Sequence, residues 1–437
     1  MEASGTTRLE RRTFLSKVAA GILGTVPIGA GASAVSAWTG SETNSVLNQA
    51  RPDASPLKIA NVTPYIMRLQ KDASGKLTGV NFLMCRIETA DGLVGWGDGS
   101  SWPQVPVIAK EIELARSHIV GRSAFDIERI WNTISNLRTS SHGASVQSAI
   151  SAIDMALWDI VGQKLNVPVY KLLGGKVNDR IKFYNSYKWG NIPRTAEAYA
   201  RRTKELVAEG AVAGKWDPFF APLEPNRQLS LKSFHEVVEM VRGIRAGGPE
   251  FEISVEGHAK FNVASAIRMA KALEPYNVLF FEEPILPESA DALREVQLAT
   301  SVPIAIGERI KSRLEAREYI EKDAFRIFQP DAARCGGITE FRKMTAMAET
   351  HFMTTAPHNP NSPVCLAAHL HLAASSASFL ILEEGFTEPA LCRELFGSWT
   401  DSRAYFPVPE KPGLGLTLPD AFVREHSIPL DKAEMPS

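Results

Sequence analysis

Apolar positions follow two different rhythms along this chain. In the first, two β-rich runs, Ile59 to Arg68 and Val80 to Thr89, are separated by a glycine-containing turn, and Asp91-Gly92 marks a second turn before Leu93 to Gly97. These three runs predict an antiparallel meander. Helical spacing follows over Val105 to Ile119, Ala124 to Leu137 and Ser145 to Lys164. The last of these sets Ile150, Ile153, Ala156, Leu157, Ile160 and Val161 on one stripe, which predicts a single buried face. Residues 57–180 therefore read as a small α+β domain.

From residue 181 the second rhythm takes over. Short β-rich runs alternate with helix-length segments: Ile181 to Tyr187, Ala211 to Trp216, Phe251 to Glu256, Val278 to Glu282, Pro303 to Gly307, Phe325 to Gln329, His351 to Ala356 and Phe379 to Leu382. Amphipathic stretches such as Thr195 to Glu209, Lys232 to Ala246 and Val263 to Leu273 lie between them, and Val364 to Ala374 supplies a short alanine-rich last crossover. Eight strands in strict alternation with helices point to an α/β fold, a closed parallel barrel over residues 181–395. An open doubly wound sheet is disfavoured, because no glycine-rich phosphate loop follows an early strand. Residues 396–437 form a C-terminal segment beyond the last strand.

The N-terminus follows neither rhythm. Arg11 and Arg12 precede Thr13, Phe14 and Leu15, and then a run from Val18 to Ala37 of mostly Ala, Gly, Val, Ile and Leu. Paired arginines before a weakly apolar stretch resemble a twin-arginine export signal over residues 1–40, with cleavage expected after Ala34 or Ala37 and a periplasmic mature chain. An uncleaved anchor is the rival reading, since the run is near the ~20 residues a span needs; its glycines and Pro27 make a poor permanent helix. Residues 41–56 read as a polar linker. No permanent membrane span is expected after processing.

Composition adds mainly exclusions. A formal net charge of -1 with no basic stripe leaves no electrostatic case for nucleic acid. Cys85, Cys335, Cys365 and Cys392 lie far apart and form no metal or redox motif. The length of 437 residues accommodates a barrel with an attached smaller domain.

Candidate chemistry sits where strands end. ISVEGH, LFFEEP and IAIGER place Glu256, Glu282 and Glu308 at the carboxyl ends of consecutive strands, each 26 residues from the next. Three carboxylates crowded at a barrel mouth repel one another unless a hard cation neutralises them, and all-oxygen ligation suits Mg²⁺, with Mn²⁺ as the alternative. Glu283 should point away from Glu282 and make a structural ion pair. His258 lies two residues past Glu256, and His358 follows the seventh strand in TAPHNP, stiffened by Pro357 and Pro360. Asp331, ending the sixth strand in FQPD, can accept a hydrogen bond from His358 and so fix its tautomer. Glu383 ends the eighth strand in FLILEE. Lys215 and Asp217 flank Trp216 after the second strand, where both can face the mouth. His142 alone is placed to enter the site from the small domain; His235 lacks such a register.

The ordered series SVEGH, FFEEP, IAIGER, FQPDAARCGGITE, TAPHNP and LILEE resembles the enolase superfamily, in particular its mandelate racemase/muconate lactonizing branch and the galactonate dehydratase type within it. The resemblance spans about residues 57–400. It implies a (β/α)₇β modified TIM barrel under an N-terminal α+β capping domain, with the chain's end returning to the cap. It implies Mg²⁺ on Glu256, Glu282 and Glu308, the Asp331–His358 pair as base, His258 as acid, and Glu383 hydrogen-bonded to a substrate carboxylate. Such a set would dehydrate a sugar acid to a 2-keto-3-deoxy acid through an enediolate. The partners implied are a small sugar acid and further copies of the chain in a homo-oligomer.

Three departures bear on that expectation. The first ligand position is usually aspartate, whereas here it is Glu256, one methylene longer. The stretch after it reads His258, Ala259, Lys260 where the galactonate type has His-Gly-Arg. After the second strand, Lys215-Trp216-Asp217 lacks the second lysine of the Lys-x-Lys base found in racemases. Two-base racemisation is thereby disfavoured. The alternative to dehydration is cycloisomerisation or epimerisation of an anhydro-sugar acid or related carboxylate, with Lys215 opposite His358. A non-catalytic, metal-using sugar-acid-binding protein is the third reading.

Overall fold

The first subdomain is built on an antiparallel sheet of β1 (Ile59–Met67), β4 (Phe82–Thr89) and β5 (Val94–Asp98), with the short hairpin β2 (Gln70–Lys71) and β3 (Leu77–Thr78) as a separate ribbon between β1 and β4 in the chain. Three helices follow, α1 (Val105–Ile119), α2 (Ile127–Ser135) and α3 (Ala144–Lys164), then the one-turn α4 (Val169–Leu172). The computed structural model describes residues 57–102, 104–137, 143–186, 192–219, 226–385, 389–397, 402–430 and 433. The export signal and linker expected over residues 1–56, and His142, lie outside the described residues. Among the described residues no helix is long and apolar enough to cross a membrane.

β5 shows why its sequence alternates glycine. Gly95, Gly97 and Gly99 face α3, and a Cβ on each would meet the carbonyl oxygens of Ala156, Ala152 and Ser148 at 2.2, 1.9 and 2.4 Å. The strand can lie against the helix backbone only because those side chains are absent. Alternation then turns Trp96 and Asp98 the other way. α3 is buried nearly all round, not on one stripe alone as its spacing predicts. It is sandwiched between the cap's own core and the barrel, so its polar positions, Ser151 and Asp154 among them, are buried as well.

The barrel runs β6 (Arg180–Ser186), α5 (Ala196–Ala208), β7 (Ala213–Trp216), α6 (Leu231–Gly247), β8 (Glu252–Glu256), α7 (Val263–Leu273), β9 (Phe280–Glu282), α8 (Ala290–Leu298), β10 (Ile304–Ile306), α9 (Arg313–Glu321), β11 (Ile327–Phe328), α10 (Gly337–Glu349), β12 (Thr354–Thr355), α11 (Pro363–Ala374) and β13 (Leu382–Glu384). Neighbouring strands pair in parallel in the order β12-β11-β10-β9-β8-β7-β6-β13. The ring closes through a parallel bridge between Thr355 and Phe379, with Thr355 N donating to Ser378 O and Leu380 N to Thr355 O, each at 2.8 Å. This explains why the eighth strand falls at Leu382–Glu384 and not at Phe379 to Leu382: residues 378–380 pair with β12, and the chain then pairs with β6. The fold is α/β, a modified TIM barrel with an N-terminal capping subdomain.

Helix starts follow local chemistry. Thr195, Ser230, Asn262, Ser289, Ser312 and Ser362 each accept a backbone N–H from the first turn of the helix they precede; such a cap is worth about 1 kcal/mol. Beneath the mouth, Tyr184, Ala213, Phe280, Ala305, Ile327, Ala356 and Ile381 fill the barrel interior. Large rings from β6 and β9 are balanced by alanines from other strands, which closes the floor of the site. After α12 (Pro389–Phe396), β14 (Tyr405–Pro407) adds antiparallel to β6. The chain then passes through α13 (Asp420–His426) to β15 (Ser427–Ile428), which pairs with β1 of the cap.

Cap and barrel are fastened by polar contacts at the start of α10. Ser151 Oγ accepts from Gly336 N and Gly337 N at 2.8 and 3.0 Å, and Asp154 Oδ2 accepts from Thr339 N at 3.0 Å. Trp158 Nε1 donates to Thr339 Oγ1 at 2.9 Å and Trp131 Nε1 to Gly336 O at 2.9 Å. Side chains of the cap thus satisfy the N–H groups that the first turn of a helix leaves open. Residues 56–437 form one compact unit.

Candidate active site

The carboxyl ends of β7 to β13 carry a dense set of buried charges. Lys215 on β7 lies between carboxylates from three strands: its Nζ is 2.8 and 2.9 Å from the two oxygens of Glu282, 3.4 Å from Glu256 Oε2 and 3.1 Å from Glu383 Oε1. The face of Tyr184 lies 5.5 Å from the same ammonium. Glu256 and Glu282 are directly paired across β8 and β9. Burial pushes Glu282 far above the ordinary carboxylate range, and the neighbouring Glu256 charge adds to this against the opposing pull of Lys215. Gln329 Nε2 donates to Glu282 Oε2 at 2.9 Å.

Glu308, just past β10, is drawn the other way. His358 Nε2 lies 2.6 Å from its Oε2, Arg309 holds its Oε1, and Arg334 Nη1 is 3.6 Å away. Burial alone would raise Glu308, but the His358 charge and hydrogen bond outweigh it and hold the carboxyl well below its usual value. Glu283 is buried and pairs with Arg309. Its ion pair matches the expectation from strand alternation.

His358 is fixed from both sides. Its Nδ1 sits 2.9 Å from Asp331 Oδ2, and Asp331 also accepts from Asn361 Nδ2 at 2.9 and 3.0 Å and from Ala333 N at 2.8 Å, with the charge of Arg334 3.2 Å away. Burial would raise Asp331, yet Arg334 and the His358 hydrogen bond keep it ionised far below the normal range. For His358, burial works downward, but the charges of Glu308 and Glu383 win and lift it to about 10. Glu383 Oε2 accepts from Asn359 N at 3.0 Å and lies 3.9 Å from His358 Nε2.

His258 has a matching arrangement. Its Nδ1 is 2.6 Å from Asp217 Oδ2, an oxygen that also pairs with Lys260. Its backbone N donates to Glu256 Oε1 at 2.6 Å. His258 and Ala259 both take left-handed backbone, at φ 45° and 55°, which L side chains adopt at a cost. His258 follows β8 and His358 follows β12, four strands apart in a ring of eight, so the two imidazoles come from opposite sides of the mouth.

Lys215, Glu256, His258, Glu282, Glu308, Asp331, His358 and Glu383 therefore lie at or just past the strand ends, while His142 falls outside the described residues. Lys215 is nevertheless tied to three carboxylates. The sequence reading missed Asp217 as the partner of His258, although the Lys-Trp-Asp alternation already set it toward the mouth. It also missed Asn361 and Gln329, whose motifs HNPN and FQPD hold the signal. A further cluster was hidden by sequence separation: Asp331, Cys365 and His369 bring ligand atoms within 4.8 Å of one another, all buried. Cys365 and His369 stand one helical turn apart on α11, a spacing that could have flagged them. All four cysteines are free and buried. His369 Nε2 accepts from Ala332 N at 3.1 Å, and burial lowers His369 to about 4, so that ring is neutral.

The fit to a divalent cation rests on donor type and charge. Among the described residues, Asp331, Cys365 and His369 are the group whose ligand atoms approach that closely; Glu256 and Glu282 are held by Lys215, whereas Glu308 is held by His358 and Arg309. Their oxygens are nonetheless hard donors on three adjacent strands. Around them Asp217, Glu256, Glu282, Glu283, Glu308, Asp331 and Glu383 lie among the cations Lys215, Lys260, Lys311, Arg309, Arg334 and His358. Carboxylate oxygens crowded in this way are the donor type that suits a hard dication.

Comparison with known proteins agrees with this architecture. Residues 57–174 match the mandelate racemase / muconate lactonizing enzyme N-terminal domain, and residues 198–422 match the enolase C-terminal domain-like family. D-galactonate dehydratase of Ralstonia nicotianae is 33% identical over 362 residues, covering 79% of this chain and 91% of that protein. D-gluconate dehydratase of Thermoproteus tenax is 33% identical over 350 residues, covering 79% of this chain and 69% of that one. The crystal structure of a mandelate racemase/muconate lactonizing enzyme from a Jannaschia species aligns with a TM-score of 0.77 at 31% identity, over 85% of this chain and 98% of the other.

Proposed function

We propose that this chain, which belongs to the mandelate racemase/muconate lactonizing branch of the enolase superfamily, is a Mg²⁺-dependent dehydratase of an aldonate-like sugar acid. Dehydratase-type chemistry on a carboxylic acid fits the family and the two sugar-acid dehydratases to which the chain is similar. The observation that carries the reading is the pair of imidazoles that follow opposite strands of the ring, each with its own carboxylate on Nδ1: His358 with Asp331 and His258 with Asp217.

A carboxylate fixing Nδ1 leaves Nε2 to exchange a proton with substrate. In this reading His358, an imidazolium while Glu308 and Glu383 face it, gives up its Nε2 proton to solvent once Glu308 is drawn to the cation site, and the free Nε2 then takes the proton α to the acid's carboxylate. His258 Nε2 gives a proton to the β-hydroxyl, which leaves as water. The enol so formed tautomerises to a 2-keto-3-deoxy acid. Glu256, Glu282 and Glu308 would hold Mg²⁺, which when bound supplies positive charge at the substrate carboxylate. Glu383 faces that same carboxylate from β13, and Lys215 keeps the acidic floor charge-compensated. An isomerase would need Lys215 as a second base; contacts with Glu282, Glu256 and Glu383 give it a counter-ion's part instead.

The test is incubation with a panel of aldonic, uronic and anhydro-sugar acids and Mg²⁺, with products read by NMR and mass. One acid should yield a product lighter by one water. A product of unchanged mass would replace dehydration by isomerisation. Export to the periplasm belongs to the same proposal and is supported by Arg11-Arg12 and the apolar run after them. An unprocessed chain in the cytosol of the native cell would end that part.

A further inference from the structure

Asp98, the last residue of β5, is a fully buried carboxylate that the cap sends into the barrel. Its Oδ1 accepts from Ser100 N at 2.7 Å. Its Oδ2 accepts from Ser362 N at 3.1 Å and from the Ser362 hydroxyl. Ser362 is the N-cap of α11, and its Oγ in turn accepts from Val364 N at 3.2 Å. The residue before it, Asn361, donates to both oxygens of Asp331, which holds His358 Nδ1.

The segment from His358 to Ser362 is thus anchored at two points, by Asp331 within the barrel and by Asp98 from the cap. Apolar packing does not call for an acid at position 98. A buried carboxylate is costly unless its acceptor sites are filled, and here the donors come from the cap's own turn and from the start of α11. The alternation of β5 is what makes the contact possible: the glycines at 95, 97 and 99 lie against α3, so Asp98 is turned toward the barrel.

We propose that Asp98 is a positioning residue for the His358 base, acting through Ser362 and Asn361 on the Asp331–His358 pair. The inference rests on the reading of His358 as the base. It gives the cap a part in catalysis apart from any contact with substrate: docking of the cap sets the register of the loop that carries the imidazole. A displacement of about 1 Å at a reacting group can cost on the order of 10²-fold in rate.

The experiment compares the parent with Asp98→Asn, of equal size but with a single acceptor oxygen that cannot serve both Ser100 N and the two donors of Ser362, and with the milder Ser362→Ala. Two quantities are read: kcat and KM on a sugar acid that the parent turns over, and the Nδ1–H proton resonance of His358 in protein carrying isotope-labelled histidine, assigned by its loss in His358→Gln. Expected are a fall in kcat of about tenfold or more with KM changed less than about threefold, and a moved or broadened Nδ1–H resonance. Ser362→Ala should act in the same direction to a smaller extent and decides the matter if Asp98→Asn does not fold. A lower melting temperature with kcat and the resonance unchanged would overturn the proposal. If the parent turns over no sugar acid, the proposed function fails, while the resonance still tests the positioning.

Discussion

Lys215 Nζ lies within 2.9 Å of both carboxylate oxygens of Glu282, in a position sealed from solvent. An ammonium set so squarely on a carboxylate, with Glu256 and Glu383 also in reach, is the main internal counter-charge of the mouth. Removing one partner of such a pair typically costs about 3–5 kcal/mol. Lys215→Met should therefore lower stability by roughly that amount in the presence of chelator, measured by denaturant unfolding. Retention of parental stability would mean that Lys215 does not compensate these acids.

Glu282 is also one of the three residues expected to bind Mg²⁺. Glu282→Gln should weaken Mg²⁺ binding by at least about tenfold, since even outer contacts to a metal ligand are worth 10–100-fold. Titration calorimetry reads this without any substrate. Unchanged affinity would remove Glu282 from the ligand set.

Asp154 of α3 carries a pH dependence of its own. Burial raises its carboxyl to about 7, against the hydrogen bonds from Thr339 and with some help from the charge of Glu128. Because the folded value lies above the unfolded one, the folded chain keeps this proton longer as pH rises. The acid therefore costs stability progressively between about pH 4 and pH 7, with an upper bound of about 4 kcal/mol. Asp154→Asn removes the titration. Relative to the parent, the variant should gain stability as pH goes from 5 to 8, measured by urea unfolding at each pH, and an equal difference at both pH values would contradict the shift.

Much of this was legible in the chain. The strand-helix alternation after residue 181 and the carboxylates at strand ends come from periodicity, which a parallel barrel imposes directly on sequence. Where the sequence was silent, the missing information is three-dimensional. Asp217 and His258 are 41 residues apart, and the left-handed turn at His258 and Ala259 is one that the alanine's own preference opposes. The burial of α3 on both faces depends on what docks against its polar side, and Ser151 and Asp154 read as solvent-facing until α10 is set over them. The Asp331, Cys365 and His369 cluster likewise needs β11 and α11 brought together.

Ala259, where the galactonate type has glycine, offers a separate test of that turn. At φ 55° an alanine is strained, by roughly 1 kcal/mol. Ala259→Gly should raise stability by up to about 1 kcal/mol, offset in part by the greater freedom of the unfolded chain. Thermal unfolding checks it, and a loss of more than about 1 kcal/mol would show that the methyl group packs usefully enough to outweigh its strain.

The assignment of acid and base is the core of the proposed function, and single-turnover product formation by His358→Asn and His258→Asn, on a confirmed substrate at saturating Mg²⁺, tests it most directly. His358→Asn should lose both product formation and exchange of the α-proton with D₂O, by about 10²–10⁴-fold, the range for a positioned proton-transfer group. His258→Asn should slow elimination over the same range, and in a stepwise reaction it keeps the exchange. Near-parental elimination by His258→Asn would contradict its assignment as the acid. Near-parental elimination and exchange by His358→Asn would contradict the dehydratase mechanism at its first step.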